Sequence, residues 1–517
     1  MANIPTRIFP IGIEDFEDLR TNNYVYVDKT DLIYQLANTS RTCFLSRPRR
    51  FGKSLLLSTF KAYFEGKKHL FEGLAMERLE KEWTVHPVLQ FSFSQSTYDD
   101  IDKLLTVLNV QLTQWERIYG SDPTEKTLSA RFQGVIRRAN EKTGQRVVIL
   151  IDEYDSPLLD STDDPKLRLA LRKIAREFFS PLKFNTKIIR FLFITGITKF
   201  TQMSIFSELN SLDDISMWQE YSSLCGITEN ELIHDFKQDI EALAANNDET
   251  YEQAVAHLAR LYDGYRFNHR GERVYNPFSV ISVLWKKEYR SYWYSTGTPS
   301  FLLALLRKRN MPLMDMEGSK TMASAFDKST DELTDPIPVL YQSGYLTIKD
   351  FQNGIYTLGY PNEEVRYGFL NSLLPDVLGH SEMENGMSLI AMKEALDIGD
   401  IDACLIRLRA FVASIPYEKK SDNESRFETI FYIIFTLMGQ LTRTQVKTSS
   451  GRVDVVVSNK DYVYLFELKV DSTPEEALAQ IDAKGYVIPY EADGRTVVKV
   501  GINYDKAMRG IAGWKAQ

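Results

Sequence analysis

Residues 44–57, FLSRPRRFGKSLLL, constrain the fold more than any other stretch. They open as an apolar strand, break over Ser46 to Arg50, present Phe51-Gly52-Lys53-Ser54, and continue leucine-rich with helical spacing. Strand, loop and helix in that order make a phosphate-binding loop. Backbone N–H groups and the first helical turn surround the phosphates, a lysine reaches the β and γ phosphates, and a serine holds Mg²⁺. Lys53 and Ser54 occupy those places, behind Gly52. The pattern G-x-x-x-x-G-K-[ST] has glycine where this chain has Arg47, so the loop must turn without its first glycine, with Pro48 setting the bend. Gly-Lys-Ser alone also fits a surface turn, so the rest of the chain has to decide.

The deciding stretch is Val147-Val148-Ile149-Leu150-Ile151 followed by Asp152-Glu153. An unbroken apolar run predicts a strand buried on both faces, as in a parallel sheet covered by helices. Acids at its end then sit at the carboxyl edge, where open α/β sheets bind ligands. Helical spacing over 100–140 precedes this strand, and a helix over 167–179 follows it. Residues 188–196, IIRFLFITG, then read as another buried strand ending in the polar Thr195. With the strand at 88–93, the order matches an ATPase core with an added strand between its two nucleotide motifs. The competing reading is a doubly wound sheet whose acids carry no chemistry.

At 517 residues the chain exceeds one core and divides into roughly two to four domains. Cys43, Cys225 and Cys404 are far apart, which excludes a disulfide framework and a thiolate zinc site; six scattered histidines exclude a histidine-built one. The start lacks a signal-peptide pattern, and no run reaches the ~18 apolar residues of a membrane span. The chain therefore reads as cytoplasmic, with no membrane partner. The net charge of −8 excludes a uniformly basic nucleic-acid coat but leaves room for a local basic groove.

Three domains are expected: 1–225, the P-loop domain; 226–390, a helical lid and possible winged-helix region; and 391–517. Thr228 with Glu231 reads as a capping box. The aromatic clusters YDGYRF (262–267), YNPF (275–278) and YWY (292–294) read as packing of a helical lid rather than as a base-stacking platform. Residues 338–360 read as a hairpin turning at 350–354, winged if a helix precedes it. The polar stretch 381–400 reads as a domain boundary.

The last domain carries a second site. Residues 451–457 (GRVDVVV) and 462–469 (YVYLFELK) flank the turn triplet Asn459-Lys460-Asp461, predicting an antiparallel hairpin. Registered about that turn, Asp454 falls opposite Glu467, and Lys469 shares the face of Glu467. Two carboxylates beside a lysine suit metal-dependent phosphodiester cleavage: the acids hold Mg²⁺ or Mn²⁺ and the lysine steadies the developing charge. Glu428, on the preceding amphipathic helix, would complete the metal shell or orient a ligand. The alternative is an ion pair between Lys469 and Asp454 on a solvated face, against which stands the apolar strand YVYLF.

With both sites in hand, the chain resembles the bacterial family that joins an AAA-ATPase-like P-loop domain to a C-terminal PD-(D/E)XK nuclease domain. The resemblance runs nearly end to end. It is carried by RPRRFGKS (47–54), LIDEYDSP (150–157), FITGITKF (193–200), YDGYRF (262–267), YNPFS (275–279), WYSTGTPSFL (293–302), LYQSGYLTI (340–348), GRVD (451–454), FELK (466–469) and ALAQIDAKGY (477–486). Arginine at 47 matches the family's loop. The resemblance implies that Asp152 helps hold Mg²⁺, Glu153 polarises the hydrolytic water and Thr195 senses the γ-phosphate. It also implies a nuclease centre of Glu428, Asp454, Glu467 and Lys469, with Gln480 as accessory. The family often carries a glutamate a few residues before GR-D, where this chain has Gln445, which bears on metal binding.

These readings make the fold class α/β: a P-loop core, a helical middle and a restriction-endonuclease-like end. The expected function is ATP binding and hydrolysis, with Mg²⁺, coupled to a nuclease acting on DNA more than RNA, and assembly as a homo-oligomer is open. The alternative is a nucleotide-dependent switch or scaffold whose nuclease-like domain binds nucleic acid without cutting it. Arg47, Arg49 and Arg50 would either stabilise phosphate charge, in this subunit or a neighbour, or pair with Asp152, Glu153 and Asp155.

Overall fold

The computed structural model describes residues 8–199, 212–294, 316–326, 336–378, 382–414, 431, 433–438, 455–491, 494–508 and 510–517, with backbone alone at 374–378 and 382–385. The chain divides into two compact units, Met1–Arg309 with Met316–Val365, and Asn310–Asp315 with Arg366–Gln517.

The first unit is built on a parallel sheet of β1 (Thr42–Ser46), β2 (Val88–Ser92), β3 (Val147–Asp152), β4 (Ile189–Gly196) and β5 (Asp213–Asp214), in the order β2-β3-β4-β1-β5. Strand β4 thus lies between the phosphate-loop strand β1 and the acid-bearing strand β3, and Leu45 pairs with Thr195. All six residues of β3 are buried, because both faces are covered. On one face Ile149, Ile151 and Ile194 join Leu108 and Trp115 of helix Ile101–Tyr119, Phe132 of helix Leu128–Thr143, and Phe178 of helix Pro165–Phe179 in one core. On the other, Phe60 of helix Lys53–Phe64 packs 5.0 Å, centroid to centroid, from both Phe191 and Phe193. The parallel strands therefore carry apolar residues without alternation.

The rest of the unit is largely helical. β6 (Ile227–Thr228) and β7 (Val274–Tyr275) form a short antiparallel pair. Thr228 and Glu231 form the expected capping box at the start of helix Glu229–Asp235. This helix, with Lys237–Asn246, Tyr251–Tyr262 and Pro277–Lys286, buries Leu232, Ile240, Leu258 and Val283 in a core of its own. The hairpin expected over 338–360 starts later than the sequence suggests. Residues Pro336–Gln342 are a helix, buried at every position, so no helical period showed in the sequence. The hairpin is β9 (Thr347–Gln352) and β10 (Ile355–Gly359), and β8 (Ser319–Met322) pairs with β10. Its turn holds Asn353 and Gly354 at φ 51° and 80°, the left-handed pair that two-residue hairpins favour. Helix Pro336–Gln342 thus precedes the hairpin.

In the second unit helix Glu382–Asp397 lies within the polar stretch 381–400. A four-stranded mixed sheet follows: β11 (Val455–Ser458), β12 (Tyr462–Val470), β13 (Thr496–Asp505) and β14 (Gly510–Ala516), in that order. β12 and β13 are parallel, joined through helix Pro474–Ala483, whose Leu478 and Ile481 pack on Val463 and Leu465. Of the helix expected over 424–441, residues 431 and 433–438 are described and helical. No described helix is long and apolar enough to cross a membrane.

Candidate functional site

β1, β3 and β4 end side by side, and their last residues converge. Asp152, at the end of β3, is 4% exposed and accepts two hydroxyl hydrogen bonds. Ser54 Oγ, in the first turn of helix Lys53–Phe64, donates to Oδ2 at 2.7 Å, and Thr195 Oγ1, at the end of β4, donates to Oδ1 at 2.6 Å. A carboxylate and a serine hydroxyl in contact at a helix N-terminus are the oxygen donors that Mg²⁺ takes beside nucleotide phosphates. The set fits that ion.

The loop before the helix turns through left-handed backbone at two residues, Arg50 at φ 65° and Gly52 at φ 86°. Lys53 is buried, and its Nζ donates to the carbonyls of Arg47 at 3.1 Å and Pro48 at 3.0 Å. Glu153 follows Asp152 with φ 50°, a conformation disfavoured for a non-glycine residue. Burial pushes its carboxyl above the ordinary range, partly offset by the nearby Lys53 ammonium. Backbone strain and a perturbed carboxyl thus coincide at the residue expected to polarise water.

Arg47 is turned into the protein interior. It is 1% exposed, and its guanidinium donates to the carbonyls of Ser46 at 2.9 Å, Ser216 at 2.8 Å and Tyr221 at 3.0 Å while lying 4.0 Å over the Phe267 ring. Occupied in this way, it braces the loop. Arg49 and Arg50 are exposed. Arg50 lies 3.8 Å from Glu14 rather than on the acids of β3, while the charge of Arg49 acts to lower the Glu153 pKa.

Sequence reasoning missed the clamp behind these residues. Asp155, fully buried, accepts the backbone N–H groups of Ile197 and Thr198 and the Thr198 hydroxyl, and Tyr154 Oη donates to the Thr198 carbonyl at 2.8 Å. This ties the end of β3 to the end of β4. Gly196 lies between them, where a Cβ would stand 2.5 Å from the Tyr154 ring and 2.6 Å from Asp155 Oδ1. The signal was present as DEYD and TGIT, but the partners are more than 40 residues apart.

The second site lies on β12. Glu467 is 0% exposed, and neither carboxylate oxygen has a hydrogen-bond partner among the described residues. Its neighbouring charge is Lys469 Nζ, 3.5 Å from Oε1, and Lys469 also donates to Gln480 Oε1 on helix Pro474–Ala483. A carboxylate removed from water needs compensating charge; Lys469 supplies one at 3.5 Å, and the two oxygens without hydrogen bonds among the described residues are chemically suited to a divalent cation as a second. The hairpin register, with Val455 opposite Phe466, is the one that the turn triplet predicts. Asp454, Glu428 and Gln445 lie outside the described residues.

Comparison with known proteins agrees with both domains. A family model described as predicted AAA-ATPase matches residues 10–206, and one described as the PD-(D/E)XK nuclease superfamily matches residues 422–514. A protein of Azotobacter chroococcum mcd 1, described as an uncharacterized protein in the vnfD 5′ region, is 36% identical over 526 residues, covering 98% of this chain and 98% of its own length. The chain combines an AAA-ATPase-like domain with a C-terminal PD-(D/E)XK nuclease-like domain and belongs to the same family as that Azotobacter protein.

Proposed function

We propose that the protein binds and hydrolyses ATP with Mg²⁺ and that the nucleotide state governs a metal-dependent nuclease acting on DNA more than RNA. The observation that carries the nucleotide half is Asp152 held between Ser54 and Thr195 at three adjoining strand ends. On this reading Lys53 leaves the Arg47 and Pro48 carbonyls for phosphate oxygens, Ser54 and Asp152 hold the metal, and Thr195 reports the γ-phosphate. Glu153, its pKa raised by burial, accepts the proton of the attacking water. When bound, Mg²⁺ supplies charge neutralisation at the β and γ phosphates. An apolar cavity of about 100 Å³ beside Gly52, walled by Val27, Phe51 and Ile227, is the region for the base. Arg49, exposed, is available to phosphates of this subunit or of a neighbour in a homo-oligomer.

The nuclease half rests on Glu467. With it we take Asp454 and Glu428 as the residues that would hold the metal. Lys469, steered by Gln480, would stabilise charge on the scissile phosphate. We further propose the cytoplasm as its compartment and a three-part working division at 225 and 390.

The test is cleavage of single- and double-stranded DNA and RNA with Mg²⁺ or Mn²⁺, with and without ATP. D454A and K469A are expected to abolish cleavage and keep ATP hydrolysis, whereas K53A loses hydrolysis. Absence of cleavage with ATP hydrolysis intact would replace the nuclease reading with that of a nucleotide-dependent switch.

A further inference from the structure

Each residue of the segment Arg47-Pro48-Arg49-Arg50-Phe51 is gripped by a residue from the helical and winged part of the same compact unit. Phe267 lies under the Arg47 guanidinium at 4.0 Å. Gly344 faces Pro48 so closely that a Cβ would stand 2.7 Å from Pro48 Cβ. The Trp293 indole N–H donates to the Arg49 carbonyl at 3.0 Å, across 244 positions of sequence. Phe278 lies 5.2 Å from the Arg50 guanidinium, and Phe51 meets the rings of Tyr265 at 4.8 Å and Phe267 at 5.5 Å. The aromatic motifs are therefore packing, as their composition suggested, but packing against the phosphate loop.

Within this wall Trp293 makes the directional contact with the loop backbone. Arg50 holds φ 65°, which an L-residue adopts only when its surroundings impose it. The 49–50 peptide is trans and planar, so its C=O and N–H point in opposite directions. Fixing the Arg49 carbonyl on the indole thus turns the Arg50 N–H away from the wall. Trp293 is itself fixed: its backbone N–H donates to buried Glu364 at 2.7 Å, and its ring packs 5.3 Å from Tyr345.

We infer that Trp293 is a positioning residue of the nucleotide site, holding the Arg49 carbonyl so that the loop turns left-handed at Arg50 and presents the Arg50 N–H to phosphate. The inference rests on residues 47–54 being a phosphate-binding loop.

The test is the dissociation constant of a fluorescent ATP analogue with Mg²⁺, measured at 10 °C on the full chain. Trp293→Phe keeps the ring and removes the N–H, and is expected to weaken binding about tenfold, the value of one hydrogen bond. Glycine enters left-handed backbone freely. Arg50→Gly in the Trp293→Phe background is therefore expected to recover affinity to within about threefold of its value in the Trp293 background, whereas Arg50→Ala is not. Wild-type affinity in Trp293→Phe, or equal recovery by glycine and alanine, overturns the inference while leaving the nucleotide reading intact. No binding by the wild type overturns that reading and this inference with it. Hydrogen exchange is the second readout. Faster exchange in Trp293→Phe confined to residues 46–53 is expected, and uniform acceleration, or none, overturns the inference.

Discussion

Gly196→Ala places a methyl group where the clamp between β3 and β4 is tightest. The new Cβ would lie 2.5 Å from Tyr154 Cε1 and 2.6 Å from Asp155 Oδ1, both far inside van der Waals contact. Neither neighbour can swing aside. Tyr154 is held by its hydroxyl on the Thr198 carbonyl and by an edge contact with Phe44, and Asp155 by three donors. Overpacking a rigid site costs about 1–3 kcal/mol. Stretching hydrogen bonds to a buried carboxylate adds about 1.5–3 kcal/mol for one bond. The expected loss is therefore about 2.5–6 kcal/mol, read as a shift of the transition of the first unit in urea. The Gly196 carbonyl also accepts the Arg47 N–H at 3.1 Å, so the displacement reaches the phosphate loop. ATP affinity is expected to fall at least tenfold at urea concentrations where the variant remains folded. A variant within about 0.5 kcal/mol of wild type, with unchanged affinity, would refute the account of Gly196 as a close-approach residue.

Four further outcomes are expected. Thr195→Val removes one of the two donors to buried Asp152 without changing shape, and should cost about 1–3 kcal/mol in chemical denaturation. If Glu153 is the base, it must be ionised, and its raised pKa moves the acid limb of ATP hydrolysis above the ordinary carboxylate range, with rate rising as pH rises; Glu153→Gln should abolish that limb in a pH–rate profile. Burial pushes the carboxyl of Glu364 up to about 7, against the donors Ser279, Trp293 and Tyr292. Because its folded pKa lies above the unfolded value, the contribution of this group to stability is fully present below about 4.5 and falls by roughly 3 kcal/mol as pH rises to about 7; Glu364→Gln should remove that contribution to the slope in unfolding measured across that window. Glu467→Gln should eliminate any rise in melting temperature that Mn²⁺ gives the wild type, whereas a rise that survives would remove Glu467 from the metal site.

Features set by a local pattern were legible in the sequence. The runs at 147–151 and 188–194 announce doubly covered strands, the turn triplet at 459–461 fixes the register of β11 on β12, and Thr228 with Glu231 marks a helix start. Helix Pro336–Gln342 was not legible, because complete burial erases the period that separates helix from strand. Of the candidate site, Lys53, Ser54, Asp152 and Thr195 were legible as a set, since each ends or follows a recognisable strand. The surroundings of Arg47 were not legible, because the carbonyls of residues 216 and 221 and the ring of Phe267 are brought to it by distant chain. The contacts of Asp155, Gly196 and Trp293 were not legible for the same reason: their partners are set by the fold rather than by neighbours in sequence.

The most direct test of the central claim is calorimetric titration of ATP into wild type and Asp152→Asn, each with Mg²⁺ and with EDTA. The account predicts that wild type binds ATP more tightly with Mg²⁺ than with EDTA, and that Asp152→Asn loses this difference while retaining weak, metal-independent binding. Equal wild-type affinity with and without Mg²⁺, or a metal effect undiminished in Asp152→Asn, would contradict it.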